Sequence, residues 1–104
     1  MDEAWYFILA LDEKVKAKVA YNVKRSREVT DPELFKKLNS EIWEFRTEFA
    51  KKQIRLFAFW SPMEKALVVC THGIFKKSQK TPHKEIAKAQ QIRLLYLKQK
   101  SNEK

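Results

Sequence analysis

Two runs with no polar face decide what this chain can become. Ile54-Arg55-Leu56-Phe57-Ala58-Phe59-Trp60 is apolar at odd and even positions alike except at Arg55, and Ala66 through Phe75 is apolar on both sides until His72. Successive side chains of a strand point to opposite faces, so strands of this kind need cover on both sides of their sheet. Just upstream, Glu44, Arg46 and Glu48 alternate with Trp43, Phe45 and Thr47, which is the period of a half-buried strand. Polar turns at Lys51-Lys52-Gln53 and Ser61-Pro62-Met63-Glu64-Lys65 separate the three segments. Short connections of that sort predict an antiparallel meander.

Helices must then supply the cover. Trp5, Ile8 and Leu9 stand at i, i+3 and i+4, predicting a short helix. Asp12 is placed to cap a second helix running to about Arg27, whose Val15, Val19 and Val23 form an i, i+4, i+8 stripe. The close spacing of the two predicts a helix hairpin. Thr30-Asp31-Pro32-Glu33 reads as the start of a further helix of one or two turns carrying Leu34, Phe35 and Leu38, broken at Asn39-Ser40. At the other end, Thr81 is the expected N-cap and Pro82 the first residue of a terminal helix with Ile86, Ala89, Ile92, Leu95 and Tyr96 on its apolar stripe. The expected class is therefore α+β: an N-terminal helix hairpin packed on a small antiparallel meander, with a C-terminal helix.

Charge narrows the partners. The net charge is +9, and residues 76–104, with nine basic and two acidic side chains, carry +7 of it. A field of that sign and density attracts polyanions, nucleic acid first among them. The single Cys cannot close an intrachain disulfide or, with two His, build a zinc site, and no cofactor is expected. No apolar run approaches the roughly 20 residues that span a bilayer, and the chain opens with two acids where a secretory signal would be basic. A cytoplasmic protein without membrane contact is expected.

No nucleophile–base pair stands out. Cys70 sits within an apolar run as a small hydrophobe, His83 lies at a helix start, and the only glycine, Gly73, cannot make a phosphate-cradling loop. What remains is a set of cations on neighbouring strands: Arg46, Arg55, and Lys76 with Lys77 at the end of the third strand, His72 being four residues before Lys76. An unpaired guanidinium inside a strand is very costly, so Arg55 is either ion-paired across strands with Glu44 or Glu48, or part of a concave phosphate-binding face. In the second case, fixed positive donors around one phosphate stabilise its transition state and promote attack by an RNA 2′-hydroxyl. Lys76, Lys77 or His72 would serve as acid or base.

Several segments together resemble a known family. Leu34-Phe35-Lys36-Lys37-Leu38, Ile42-Trp43-Glu44-Phe45-Arg46, Arg55-Leu56-Phe57-Ala58-Phe59, and above all the His-Gly-x-x-Lys-Lys-x-x-Lys-x-Pro-x-x-Glu-Ile pattern at 72–86 are similar to the phage-derived branch of the RelE/HigB toxins, in the RelE/ParE superfamily. The resemblance covers about residues 5–97, implying one toxin domain over 1–97 and a basic tail over 98–104. It implies the toxin of a type II toxin–antitoxin pair: a metal-independent endoribonuclease that cuts mRNA on the ribosome and is neutralised by a helix-turn-helix, HigA-like antitoxin. Carried onto this chain, Arg46, Arg55, Lys76 and Lys77 bind and polarise phosphate, Glu44 orients them, and His72 is a further candidate. Lys80, Lys84 and Arg93 complete the expected nucleic-acid surface. Relatives usually open with a strand before the helix hairpin, so that edge strand is expected to be missing here. The alternative is a non-catalytic partner of such an antitoxin, ParE-like or binding RNA or DNA without cutting it.

Overall fold

A computed structural model describes residues 2–76 and 81–102. Two helices, α1 (Asp2–Leu9) and α2 (Glu13–Ser26), precede four strands, β1 (Phe35–Lys37), β2 (Trp43–Phe49), β3 (Lys52–Trp60) and β4 (Val68–Lys76), and a long helix, α3 (His83–Asn102), follows. The strands form one antiparallel sheet in the order β1-β2-β3-β4. No described helix is long and apolar enough to cross a membrane.

The doubly apolar strands are covered on both sides, as their composition requires. On one face Phe45, Ile54, Leu56 and Ala58 pack against Leu11, Val15 and Val19 of the helix hairpin. On the other, Ile42, Phe57, Phe59 and Val69 pack against Ala89 and Tyr96 of α3. The Asp12 carboxylate accepts the Lys14 backbone N–H at 2.9 Å and starts α2 where expected. The hairpin between β2 and β3 turns at Ala50 and Lys51, both at positive φ, one residue earlier than Lys51-Lys52-Gln53 would have it.

The helix expected over 30–38 is absent. Asp31 closes one turn, its carbonyl accepting the N–H groups of Leu34 and Phe35, and the chain then runs straight into β1. Phe35 wins this competition because its ring stacks on Phe45 and Trp43, at 4.3 and 4.7 Å between centroids. Cross-strand aromatic contacts of that kind outweigh a weak local helix signal. The Asn39 side chain then caps the turn into β2 by accepting from the Glu41 and Ile42 N–H groups. The sheet thus gains a fourth strand at the β2 edge, and β4 forms the opposite edge, with α1 lying against it.

That packing explains the only glycine. A Cβ on Gly73 would lie 2.3 Å from Cδ2 of Phe7, whose ring also meets Phe75. The atoms that would have to move belong to a ring wedged between α1 and the sheet. Gly73→Ala is therefore expected to cost roughly 1–3 kcal/mol by overpacking. Urea denaturation measures this, and adding Phe7→Ala should make the alanine at 73 tolerable.

Candidate functional site

The strand register assembles the site. Arg46 and Arg55 are directly opposite one another in the β2–β3 ladder, so their side chains leave the sheet on the same face. Glu44 precedes Arg46 by two residues and shares that face. Lys76 enters it from β4, as the partner of Gln53. Next to these residues, around Phe57, the same face is occupied by α3, whose apolar contacts stop short of the charged end of the sheet.

Burial sharpens the electrostatics. Glu44, Arg55 and Lys76 are only 2, 3 and 7 % exposed. Arg55 Nε lies 3.4 Å from Glu44 Oε1, an ion pair whose alignment leaves Nε without a hydrogen bond. The rest of that guanidinium is anchored: Nη1 donates to the Ile54 carbonyl and Nη2 to Gln53 Oε1, at 3.1 and 2.9 Å. Thr81 Oγ1 donates to Glu44 at 3.1–3.2 Å and accepts from Lys76 Nζ at 3.5 Å. Arg46 Nη1 donates to the Pro32 carbonyl at 3.3 Å and lies 4.0 Å from exposed Glu33, a pairing that solvent weakens. Its Nε is buried without a hydrogen-bond partner among the described residues.

These surroundings lower the proton affinity of two cations. Burial, then the neighbouring Arg46, pulls Arg55 below the ordinary arginine value, against the pull of Glu44. Burial, then Arg55, likewise lowers Lys76, again opposed by Glu44. A lysine so placed gives up its proton more readily than one in water. Two adjacent guanidinium groups and an ammonium meet one buried carboxylate, Glu44, and the more exposed Glu33 and Glu48; cations so grouped can hold a compact anion such as phosphate.

Sequence reasoning therefore named residues that the fold does bring together: Glu44, Arg46, Arg55 and Lys76. Lys77 and Lys80 lie outside the described residues. His72 belongs elsewhere. It is 1 % exposed, stacked on Phe57 with ring centroids 4.8 Å apart, and both ring nitrogens have partners, Thr71 Oγ1 at 3.0 Å and Glu85 Oε1 at 3.1 Å. It stands about 13 Å along β4 from Lys76, and burial lowers its pKa. Its role is to fasten the start of α3 to the sheet. Lys84 is exposed in the first turn of α3, whereas Arg93 is half-buried and acts on Glu41. Gln53 and Thr81 were not foreseen. Thr81 read as a helix cap, yet its hydroxyl turns to Glu44 and α3 begins at His83.

Cys70 lies on the opposite face, and burial raises its thiol to about 11. At pH 7.5 this cuts the thiolate fraction roughly 300-fold relative to an ordinary Cys near 8.5, while each thiolate becomes about tenfold or more nucleophilic. The folded chain should therefore react with a disulfide reagent roughly 20-fold more slowly than the urea-unfolded chain. Stopped-flow labelling measures the ratio, and equal rates would contradict a protected thiol.

A protein-family model described as "Phage derived protein Gp49-like (DUF891)" matches residues 6–94. No curated protein and no solved structure matches the chain.

Proposed function

Because the chain belongs to the Gp49-like family of phage-derived proteins, we propose that it is the toxin of a type II toxin–antitoxin pair, a RelE/HigB-like endoribonuclease that cuts mRNA on the ribosome. The observation that carries this reading is the placement of Arg46 and Arg55 as same-face register partners, with Lys76 beside them and Glu44 buried between. In the proposed reaction the guanidinium groups hold the non-bridging oxygens of one phosphodiester. The adjacent 2′-oxygen attacks phosphorus, its proton passing to water. The bond from phosphorus to the 5′-oxygen breaks, and Lys76 donates a proton to that leaving oxygen. The products are a 2′,3′-cyclic phosphate and a 5′-hydroxyl end. The cations stabilise charge that grows in the transition state, in a site already ordered before substrate arrives. A helix-turn-helix antitoxin would neutralise the toxin by covering this open end of the sheet.

Induction of the chain in growing cells is the direct test. Growth arrest with new 5′-hydroxyl ends in mRNA is expected, and Arg46→Ala should lower cutting about a hundredfold. Arg46 suits this test because it is only half-buried, so its loss leaves the buried pair intact. Arrest with DNA damage and intact mRNA would favour the ParE-like alternative instead.

A further inference from the structure

The C-terminal charge excess draws attention to α3 as a nucleic-acid surface, but the site opens in another direction. Beyond residue 46 the outer β2 edge has no paired strand among the described residues, because β1 pairs only as far as Phe45 and Arg46 closes the ladder by donating its N–H to the Leu34 carbonyl. A cavity of about 360 Å³ adjoins that edge, lined both by Arg46 and Arg55 of the sheet and by Lys18 and Asn22 of α2. The buried Nε atoms of both arginines, neither hydrogen-bonded among the described residues, belong to residues of its wall. From Lys18 the surface continues as an open groove past Lys14, Tyr21 and Phe49. On α2 the residues Lys14, Lys18 and Tyr21 stand at i, i+4 and i+7, one stripe beside the buried Val15 and Val19.

We infer that this stripe is the path of single-stranded RNA leading to the phosphate site. The occupant follows from the chemistry. Single strands are held by a positive groove with aromatic faces on which bases stack. Tyr21 is 56 % exposed, and the Lys18 ammonium lies 5.1 Å from its ring centre, so cation and ring present themselves together. Asn22 adds an amide at the cavity end, its Nδ2 donating to Thr47 at 3.4 Å. The Glu33 and Glu48 carboxylates also border the cavity, which places the strand's phosphates at the lysines and arginines and its bases towards the acids. On α3, by contrast, Lys88 is engaged by Glu3 and Arg93 faces Glu41. The inference rests on the nuclease reading and names how its substrate arrives.

The test uses the full chain and a fluorescent 12-nucleotide RNA, 2′-O-methylated throughout so that it cannot be cut by 2′-hydroxyl attack. Lys14→Ala/Lys18→Ala is expected to weaken binding about tenfold and to flatten the logarithmic salt dependence by about 1.4, the share of two phosphate contacts on a single strand. Tyr21→Ala should weaken it about fivefold or more, and Tyr21→Phe should restore it, since either ring offers a face for stacking. Lys98→Ala, on exposed α3 surface, should bind within twofold of the parent. Equal binding by the α2 variants, or losses that follow Lys84→Ala and Arg93→Ala, would overturn the path. So would α2 variants that bind RNA normally but escape the antitoxin, because the groove would then be a protein surface. Should the induced chain cut no mRNA while the α2 variants still lose RNA, the nuclease reading falls and the path stands.

Discussion

Lys76→Met is expected to leave a folded chain that cuts RNA about a thousandfold more slowly, within the range attributed to a positioned acid. On the proposed mechanism the loss arises at the leaving 5′-oxygen, which then departs without a proton, and from removal of one of the three positive charges proposed to hold the phosphate. Methionine keeps most of the buried stem, so packing changes little. Relief of the repulsion that Arg55 and Arg46 exert on the ammonium offsets part of what the lost contact to Thr81 costs. Quantitative cleavage of a short RNA measures the rate, and thermal melting shows whether the fold persists. The pH profile carries a sign as well. Burial and Arg55 lower Lys76 from its ordinary value. The protonated, active form is therefore lost at a pH below the usual lysine value of about 10.4, and the alkaline limb of kcat/KM should fall there. Lys76→Arg keeps the charge but cannot titrate in that range, so residual activity should lack that limb. A methionine variant within tenfold of the parent at all pH values would remove Lys76 from the chemistry.

The architecture was legible wherever burial imposed a period. Two runs with no polar face required a sheet covered on both sides, and α2 and α3 supply that cover through Val15, Val19, Ala89 and Tyr96. Where local and distant interactions disagreed, the sequence misled. Leu34, Phe35 and Leu38 have helical spacing, but the stacking partners that draw Phe35 into β1 are Trp43 and Phe45, and no local pattern reveals that choice. The candidate site divides in the same way. Arg55 announced itself as the single charge of an apolar strand, and register placed Arg46 opposite it. His72 shares the face and the strand of Lys76, but it lies four residues further back, where α3 seats on the sheet and Glu85 and Phe57 engage its ring. Thr81 shows the converse: its type and place predict a helix cap, whereas a buried carboxylate 37 residues away in the chain has the stronger claim on its hydroxyl.

Glu44→Leu is expected to destabilise the chain by about 3–5 kcal/mol, because it strands Arg55 as an uncompensated buried charge. The premise is geometric. Glu44 and Arg55 are both almost fully buried, the cations Arg46 and Lys76 repel Arg55, and the remaining carboxylates that act on it, Glu48 and Glu33, are weaker than Glu44 and solvent-exposed. Removing the carboxylate also leaves the Thr81 hydroxyl without its acceptor, adding a smaller cost. A domain of this size holds only about 5–15 kcal/mol in total, so the variant should melt much earlier. Adding Arg55→Met removes the stranded charge as well, and the double variant should recover most of the lost stability. Desolvation explains why: an ion pair taken out of water contributes little net stability, while half of one is expensive. The recovered protein should nevertheless fail to cut RNA, since the charge proposed to hold phosphate is gone. Chemical denaturation of the parent, both single variants and the double variant closes a cycle that gives the coupling between the two sites directly. A double variant no more stable than Glu44→Leu alone would mean that Arg55 escapes to water when its partner is lost. In that case the pair is not what fixes the guanidinium at the mouth of the site, and its position there would have to come from Gln53 and the Ile54 carbonyl alone.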